Sequence, residues 1–346
     1  MRDLLGIELP IIQAPMAGVQ DGALALAVCG AGGLGSLPCA MLSPEALRKQ
    51  SGALRESTDR PFNLNFFCHA QPAPDAAKEH AWREALAPYY REFGLDESAI
   101  ASGATRTPFD AGTADIIESI KPPVVSFHFG LPVPDLLARV KSWGSTILAS
   151  ATTVDEARWL ESRGVDAVIA QGLEAGGHRG LFLSSDLTTQ VGTFVLLPQI
   201  VRAVRVPVIA AGGIADADGV AAAFALGAAA VQVGTAYLLC PEATTHAVHR
   251  AALASSDAQH TALTNLFSGG VARGIVNRLM RELGPISGLA PAFPLASAAI
   301  APLRAHAERA GSGDFSPMWA GQNASGCRPM PAAQLTRELA GSNPLL

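Results

Sequence analysis

The sequence predicts an α/β fold, a TIM (β/α)8 barrel with a small additional helical domain after strand 8. Eight short apolar runs recur along the chain, and helical patterns separate most of them. The runs are continuously apolar, which indicates strands covered on both faces of a parallel sheet, and eight β/α units favour closure into a barrel. The predicted strands are 9–14, 33–37, 61–67, 123–129, 146–150, 166–171, 207–212 and 230–234.

Three of the intervening helices have clear starting residues. Helices are predicted to begin at Ser43, Thr153 and Asp216, because the side-chain oxygens of these residue types accept hydrogen bonds from the first free amides of a helix. Glu45 follows the first of them, and Asp155 with Glu156 follows the second, which suits the positive end of the helix dipole.

The 346 residues allow one large barrel with added segments. We expect the barrel in residues 1–240, with 68–122 as a helical insertion because that stretch is long, polar and locally helical. Residues 241–311 are expected to form a small α-rich domain on the substrate side. Residues 312–346 are expected to form a C-terminal tail that returns to the barrel.

Composition excludes several classes of protein. Charged residues make up 16% of the chain and the net charge is −5, without a basic block, so neither nucleic acid nor a membrane is an expected partner. Residues 219–240 carry no formal charge, but Gly227 divides an Ala-rich helix from a Val-rich strand, so a buried helix–strand pair is predicted there. Five cysteines without a CxxC pair, and no export signal at the start, favour reduced thiols and a cytoplasmic location.

Glycines follow the seventh and eighth strands, where barrels of this type commonly bind phosphate. They lie in 211–214 and at Gly234, which precedes Thr235. Glycine lets backbone amides approach a phosphate closely, although tight turns alone could also explain these residues. The GxGxxG stretch at 30–35 follows a helix and leads into a strand, the reverse of the order in a dinucleotide site, so we interpret it as a helix end.

The loop after the sixth strand, 171–180, holds three glycines around one histidine. His178 is the strongest candidate for an acid/base or anion-stabilising group, and His128 after the fourth strand is the second. The remaining histidines are assigned to solvated or packing roles. No HExxH or Cys/His cluster occurs, so no metal is expected. Glu174 could act as a base, but because it lies beside Arg179 in a polar loop we interpret it as an ion-pair partner of that residue.

Three uncharged amides lie in or at the ends of apolar strands, at Gln13, Asn65 and Gln171. A buried amide without a partner is costly, so each should meet either backbone or the polar edge of a ligand. The edge of a flavin ring is one such partner.

Seven stretches of the chain form a specific combination. They are PIIQAPMAG (10–18), NLNFF (63–67), SFHFG (126–130), AQGLEAGGHRG (170–180), PVIAAGGI (207–214), AVQVGTAYL (230–238) and SPMWAGQ (316–322). Together they resemble the FMN-dependent nitronate monooxygenases of bacterial class I, once called 2-nitropropane dioxygenases. The match extends over nearly the whole chain, although AAGGI and QVGT also occur in related FMN barrels.

The resemblance implies bound FMN, the catalytic role for His178 and a place in the substrate pocket for His128. It also implies oxidation of alkyl nitronates, often propionate 3-nitronate, by O2 to a carbonyl compound and nitrite or related nitrogen oxides. The implied partners are a small-molecule nitronate and O2, with a homodimer left open. The implied FMN contacts are Ala14, Pro15, Met16, Asn65, Gln171, Gly176, Gly177, Gly212, Gly213, Gln232, Val233, Gly234 and Thr235.

Two departures from the family pattern concern the substrate. Gly270 and Val271 stand where an Arg and a Pro are usual, and Phe293 stands where a Tyr is common. These changes leave the flavin residues intact and put the identity of the nitronate in question. Two alternatives stay open: an NAD(P)H-dependent FMN reductase of the enoyl-acyl-carrier-protein or quinone reductase type, and a non-catalytic barrel that would be colourless.

Overall fold

Eight parallel strands form a barrel in the computed structural model, which describes residues 1–100 and 106–341. The sheet closes through a bridge between Ile12 and Leu34, where the Gln13 amide donates to the Leu34 carbonyl at 2.9 Å. The barrel strands are β1 (Ile11–Gln13), β2 (Gly35–Pro38), β3 (Phe62–Phe67), β4 (Val124–His128), β5 (Thr146–Ala151), β6 (Ala167–Gln171), β8 (Val208–Ala211) and β9 (Ala230–Val233). The predicted fold class and all eight predicted strands are confirmed, and each boundary lies within two residues of the prediction.

The three predicted helix starts are also confirmed. Ser43 Oγ accepts from the amide of Ala46 at 3.2 Å, and Thr153 Oγ1 accepts from the amide of Glu156 at 3.2 Å. Asp216 caps the third of these helices in the same way. The described helices are α1 (Arg2–Leu5), α2 (Gly22–Gly30), α3 (Pro44–Ser57), α4 (Ala76–Phe93), α5 (Ala111–Glu118), α6 (Pro134–Ser142), α7 (Val154–Ser162), α8 (Thr193–Ala203), α9 (Ala217–Ala225), α10 (Ala247–Leu253), α11 (Arg278–Glu282), α12 (Ser297–Arg309) and α13 (Ala332–Ala340).

Apolar side chains fill the barrel and the layer between its strands and the outer helices. Ile12, Leu34, Leu148 and Ile209 are fully buried together at one end of the barrel. The opposite end, where the strands terminate, carries polar residues instead. This distribution leaves the carboxyl ends of the strands as the place for a site, as is usual in this fold.

A second apolar core joins α4 to α12. The indole of Trp82 donates to the carbonyl of Ala296 at 3.2 Å, and the hydroxyl of Tyr90 donates to the carbonyl of Ala299 at 2.7 Å. The helical insertion after β3 and the segment after β9 therefore pack together as one layer beside the barrel.

A small antiparallel sheet, which the sequence did not predict, connects this layer to the barrel. It contains β10 (Thr261–Thr264), β11 (Ala272–Ile275) and the two-residue β7 (Gly177–His178), in the order β10, β11, β7. Because β7 belongs to the loop after β6, the sheet fixes that loop against the second layer.

Helix α13 was also absent from the prediction. It packs against α2 and α9 on the outside of the barrel, with Leu335 and Leu339 buried. It completes the ring of outer helices although about 100 residues separate it from β9.

Residues 219–240 form the end of α9, strand β9 and a short 3-10 turn, as predicted. In the part of the chain that the structure describes, no helix combines the length and the apolar character needed to cross a bilayer.

Candidate active site

A large open cavity, about 1360 Å³ with its mouth included, lies at the carboxyl ends of the barrel strands. Its walls come from the loops after the strands together with the small antiparallel sheet. Of the residues proposed from the sequence, those that line it are Ala14, Pro15, Met16, Asn65, His128, Gln171, Gly176, Gly177, His178, Gly212, Gln232, Gly234 and Thr235.

Two residues proposed from the sequence do not line the cavity. Val233 is 1% exposed, and its side chain packs in the apolar core that includes the outer helices. The carbonyl of Gly213 accepts a hydrogen bond from the side chain of Asn323 at 2.9 Å, and its α-carbon faces Glu174. Their neighbours in sequence, Gly212 and Gly234, are the residues at the cavity wall.

His178 lies on the cavity wall in β7. Its Nε2 is 2.8 Å from the hydroxyl oxygen of Ser268, and its backbone pairs with Ala272 of β11. Aromatic rings surround the imidazole: the ring centres of Phe293 and Trp319 are 5.1 and 5.4 Å away. The ring is thus held by one hydrogen bond in largely apolar surroundings.

Those surroundings determine the protonation of His178. Burial lowers the pKa of the imidazole well below 6.5, and the positive charge of Arg106 lowers it further. His178 is therefore neutral at neutral pH, a state that can accept a proton from a weak carbon acid.

Two side chains hold the backbone carbonyl of His178 by hydrogen bonds. The carbonyl accepts from Gln171 Nε2 at 2.9 Å and from His128 Nε2 at 3.2 Å. The other ring nitrogen of His128 is 2.9 Å from the hydroxyl oxygen of Ser150. Burial lowers the pKa of His128 to about 4, so the ring is neutral. His128 lines the cavity with both nitrogens engaged, which suits a positioning residue for the His178 loop.

The prediction of an ion pair between Glu174 and Arg179 is wrong. The Arg179 side chain is 1% exposed and donates to the carbonyls of Gly172 and Gln171 at 2.6 and 2.8 Å, and to the side chain of Gln190. Glu174 instead accepts from the amide of Thr193 at 2.8 Å, at the first turn of α8. Each side chain makes hydrogen bonds to nearby backbone atoms, and these bonds fix the shape of the loop after β6.

Replacing Arg179 should destabilise the protein strongly. Burial lowers its pKa to about 10, so it is a buried cation at neutral pH, and Arg179→Met would leave its acceptors without donors. We expect the free energy of unfolding in urea to fall by about 3 kcal/mol or more. The matched control is Arg60→Met. The Arg60 side chain is 49% exposed and pairs with Glu8 at the surface, so this substitution should lower the free energy of unfolding by less than about 1 kcal/mol. Equal stabilities of the two variants would contradict the assignment.

The side-chain amides of Gln13, Asn65 and Gln171 all have hydrogen-bond partners within the protein. Asn65 Nδ2 donates to the hydroxyl of Ser126 at 2.9 Å at the cavity wall. Gln13 bonds the side chain of Gln20 at 2.7 Å and the amide of Ser36 at 3.0 Å, close to where the barrel closes. Gln13 is therefore a structural residue, whereas Asn65 also has access to a ligand.

Two features of the cavity fit a planar ligand with polar edges. Gln232 lines the cavity, and its Oε1 is buried without a hydrogen-bond partner in the described part of the chain, so an N–H group of a ligand would satisfy it. Gly177 has a φ of 72°, and a side chain there would meet no described atom within 4 Å, which leaves the wall open for a flat group.

The C-terminal segment completes the cavity wall. Trp319 pairs with Gly274 beside β11, and the amide of Gly321 donates to Thr235 Oγ1 at 2.9 Å. At Gly176 an added Cβ would lie 2.5 Å from the Gly321 nitrogen, so only glycine allows this approach. Arg106, His249 and Trp319 also line the cavity and were missed, because each lies far in sequence from the ends of the strands.

Gly270 and Phe293, two of the three residues that depart from the family pattern, lie together beside His178. A Cβ at Gly270 would be 2.9 Å from the Phe293 ring and 3.3 Å from the His178 ring. No side chain fits there without displacing one of these rings. Within residues 1–100 and 106–341, no group of three His, Cys, Asp or Glu is arranged to hold a metal.

Comparison with known proteins identifies the family. The model of the nitronate monooxygenase family matches residues 1–341. A nitronate monooxygenase of Paraburkholderia phytofirmans is 44% identical over 97% of this chain and 92% of its own. Among solved structures, nitroalkane oxidase from Streptomyces ansochromogenes has a TM-score of 0.89 at 39% identity, covering 98% and 96% of the two chains. FabK from Thermotoga maritima has a TM-score of 0.70 at 29% identity, covering 98% and 93%. The chain belongs to the nitronate monooxygenase family, whose members are oxidoreductases.

Proposed function

We propose that this enzyme oxidises alkyl nitronates with O2 and uses FMN as its cofactor. The products would be a carbonyl compound and nitrite or related nitrogen oxides. The observation that carries the proposal is a cavity at the carboxyl ends of the strands whose wall holds His178 together with the glycines that follow the strands, Gly212 and Gly234. FMN would supply the electron transfer between substrate and O2, chemistry that protein side chains do not provide.

The proposed FMN site uses the residues on the cavity wall. The phosphate would lie against the backbone of Gly212, Gly234 and Thr235, where glycine permits close approach. The polar edge of the ring would meet the unpaired Oε1 of Gln232 and the side chain of Asn65.

His178 would act on the substrate in one of two ways. As a neutral base it would take the α-proton of a nitroalkane, and as a hydrogen-bond donor it would orient the oxygens of a nitronate. The aromatic rings beside it make its surroundings less polar, which strengthens either interaction by lowering the local dielectric constant.

The reductase alternative is not favoured. The similarity to nitroalkane oxidase, at a TM-score of 0.89, exceeds that to FabK, at 0.70. The structure also gives the GxGxxG stretch no dinucleotide role, since α2 ends there and β2 follows.

We further propose a cytoplasmic location, because the five cysteines are all free thiols in the structure. A homodimer stays a prediction.

The cofactor assignment is tested by releasing the bound group from purified protein. The protein should be yellow, and mass spectrometry of the released group should give FMN in a ratio near one per chain. Recovery of FAD, or a colourless protein that does not take up FMN, would contradict the proposal.

A further inference from the structure

The side chain of Ser268 contacts one edge of the His178 ring. Its hydroxyl oxygen is 2.8 Å from Nε2 of the imidazole. The adjacent ring atom, Cδ2, faces the same loop, because a Cβ at Gly270 would lie 3.3 Å from it. The opposite edge of the ring carries Nδ1, which makes no hydrogen bond within the described residues. Since His178 lines the cavity, Nδ1 is the ring nitrogen left to meet a bound substrate.

The loop 268–270 holds this hydroxyl in a fixed position. Ser268 is 1% exposed, and the amide of Gly269 donates to the carbonyl of Asn265 at 2.8 Å. Gly269 has a φ of 86°, and a Cβ there would collide with the carbonyl oxygen of Pro291, so only glycine fits. The Ser268 oxygen therefore has little freedom to move away from Nε2.

The other partners of the Ser268 hydroxyl indicate where the proton of the His178 ring lies. A hydroxyl donates one hydrogen bond and accepts two. The oxygen accepts from the amide of Gly270 at 3.3 Å, and it lies 3.4 Å from the Gly270 carbonyl oxygen, to which it can donate. The oxygen is then left to accept a hydrogen bond from a protonated Nε2. A proton on Nδ1 would instead have no acceptor in the apolar surroundings of the ring, which is costly.

We propose that Ser268 keeps the proton of the neutral His178 ring on Nε2, so that Nδ1 is the atom that takes the α-proton of a nitroalkane. This inference rests on the proposed function. Which nitrogen of a histidine is protonated depends on the hydrogen bond that the other ring nitrogen makes or lacks. Ser268 is thus a positioning residue that acts through His178.

The proton transfer balances on these atoms. The α C–H bond breaks, its proton moves to Nδ1, and its electron pair moves into the nitro group to give the nitronate. The ring becomes an imidazolium whose Nε2–H still donates to the Ser268 oxygen. A hydrogen bond from a charged donor is stronger than one from a neutral donor, so Ser268 stabilises the product of the step more than its reactant.

Nitrogen NMR of the flavin-loaded protein with isotopically labelled histidine tests the position of the proton, because protonated and unprotonated ring nitrogens differ widely in chemical shift. The His178 signals are those that His178→Asn lacks. At neutral pH the wild-type ring should carry its proton on Nε2, and Ser268→Ala should shift the population toward the Nδ1–H form. Ser268→Thr, which keeps the hydroxyl, should retain the wild-type form. A wild-type ring protonated on Nδ1, or an unchanged ring in Ser268→Ala, would overturn the proposal.

A kinetic test compares nitroethane, which must lose a proton, with ethyl nitronate, which has already lost it. Ser268→Ala should lower the rate on nitroethane by roughly 10- to 100-fold and that on ethyl nitronate by less than about 3-fold, with the flavin content unchanged. Equal losses on the two substrates, or no loss on either, would overturn the proposal.

Ser316→Ala is the matched control. The Ser316 hydroxyl is also buried, donates to Glu308 at 2.8 Å and is not among the groups that line the cavity, so both rates should stay as in wild type. The NMR test also separates this inference from the proposed function. A wild-type ring protonated on Nε2, in a protein that turns over neither substrate, would refute the proposed function and leave the effect of Ser268 on the ring in place.

Discussion

His178→Asn is expected to retain the flavin while losing roughly 100- to 10,000-fold of its rate on neutral nitroalkanes. The loss follows because asparagine cannot accept the α-proton at neutral pH. Preformed nitronates need no proton removal, so their oxidation should decline far less. The flavin should stay bound because the substitution changes only the side chain. The hydrogen bonds that Gln171 and His128 make to the backbone carbonyl of residue 178, which hold the loop in place, remain possible. Oxygen uptake with nitroethane and with ethyl nitronate measures the two rates.

The pH dependence of the wild-type protein provides a check on the same role. Because burial holds the pKa of His178 well below 6.5, the imidazole stays unprotonated as the pH falls from neutrality past 6.5. The rate on neutral nitroalkanes should therefore stay level through this range and fall only in more acidic solution. A rate that already declines above pH 6.5, or an undiminished rate in His178→Asn, would remove the histidine from its role.

Gly234→Asp is expected to abolish retention of the flavin. Gly234 has a φ of −115°, which any residue adopts, and an added Cβ would lie 3.3 Å from the Cβ of Ala14. The substitution would place a carboxylate beside the proposed phosphate site. At about 4 Å and an effective dielectric constant near 20, like charges repel by about 4 kcal/mol, a factor of nearly a thousand in affinity.

Gly234→Asn is the matched control, since asparagine has the same shape without the charge. Both variants add a side chain at the proposed phosphate contact, so Gly234→Asn should also lose some FMN. It should nevertheless retain far more than the aspartate variant, which should be nearly colourless, as the flavin absorbance per chain will show. Equal flavin content in the two variants would place the phosphate elsewhere.

The fold could be predicted from the sequence because its strands are short apolar runs bounded by glycine, proline and polar residues. Strands β10 and β11 could not be predicted, because TALT and ARGI lack the apolar character of buried strands. Their pairing with each other forms part of the small antiparallel sheet outside the barrel. Helix α13 was missed because the alternation of strands and helices stops after β9 and resumes after a long interval.

Residues that line the cavity could be predicted where they follow the ends of strands, as at His178, Gln171 and Gly234. Distant segments contributed what the sequence could not reveal. Arg106 enters from the insertion between β3 and α5, and Trp319 enters from the C-terminal segment. The predicted ion pair between Glu174 and Arg179 was wrong because nearness in sequence does not determine where side chains point. The Arg179 side chain meets the backbone at the end of β6, and the Glu174 side chain meets the backbone at the start of α8.

Oxygen consumption with propyl nitronate, measured in air with and without NADH, tests the central claim most directly. We predict rapid uptake that yields nitrite and is the same whether NADH is present or absent. Uptake that requires NADH, together with bleaching of the flavin by NADH under anaerobic conditions and no loss of nitronate, would contradict the account and identify a reductase.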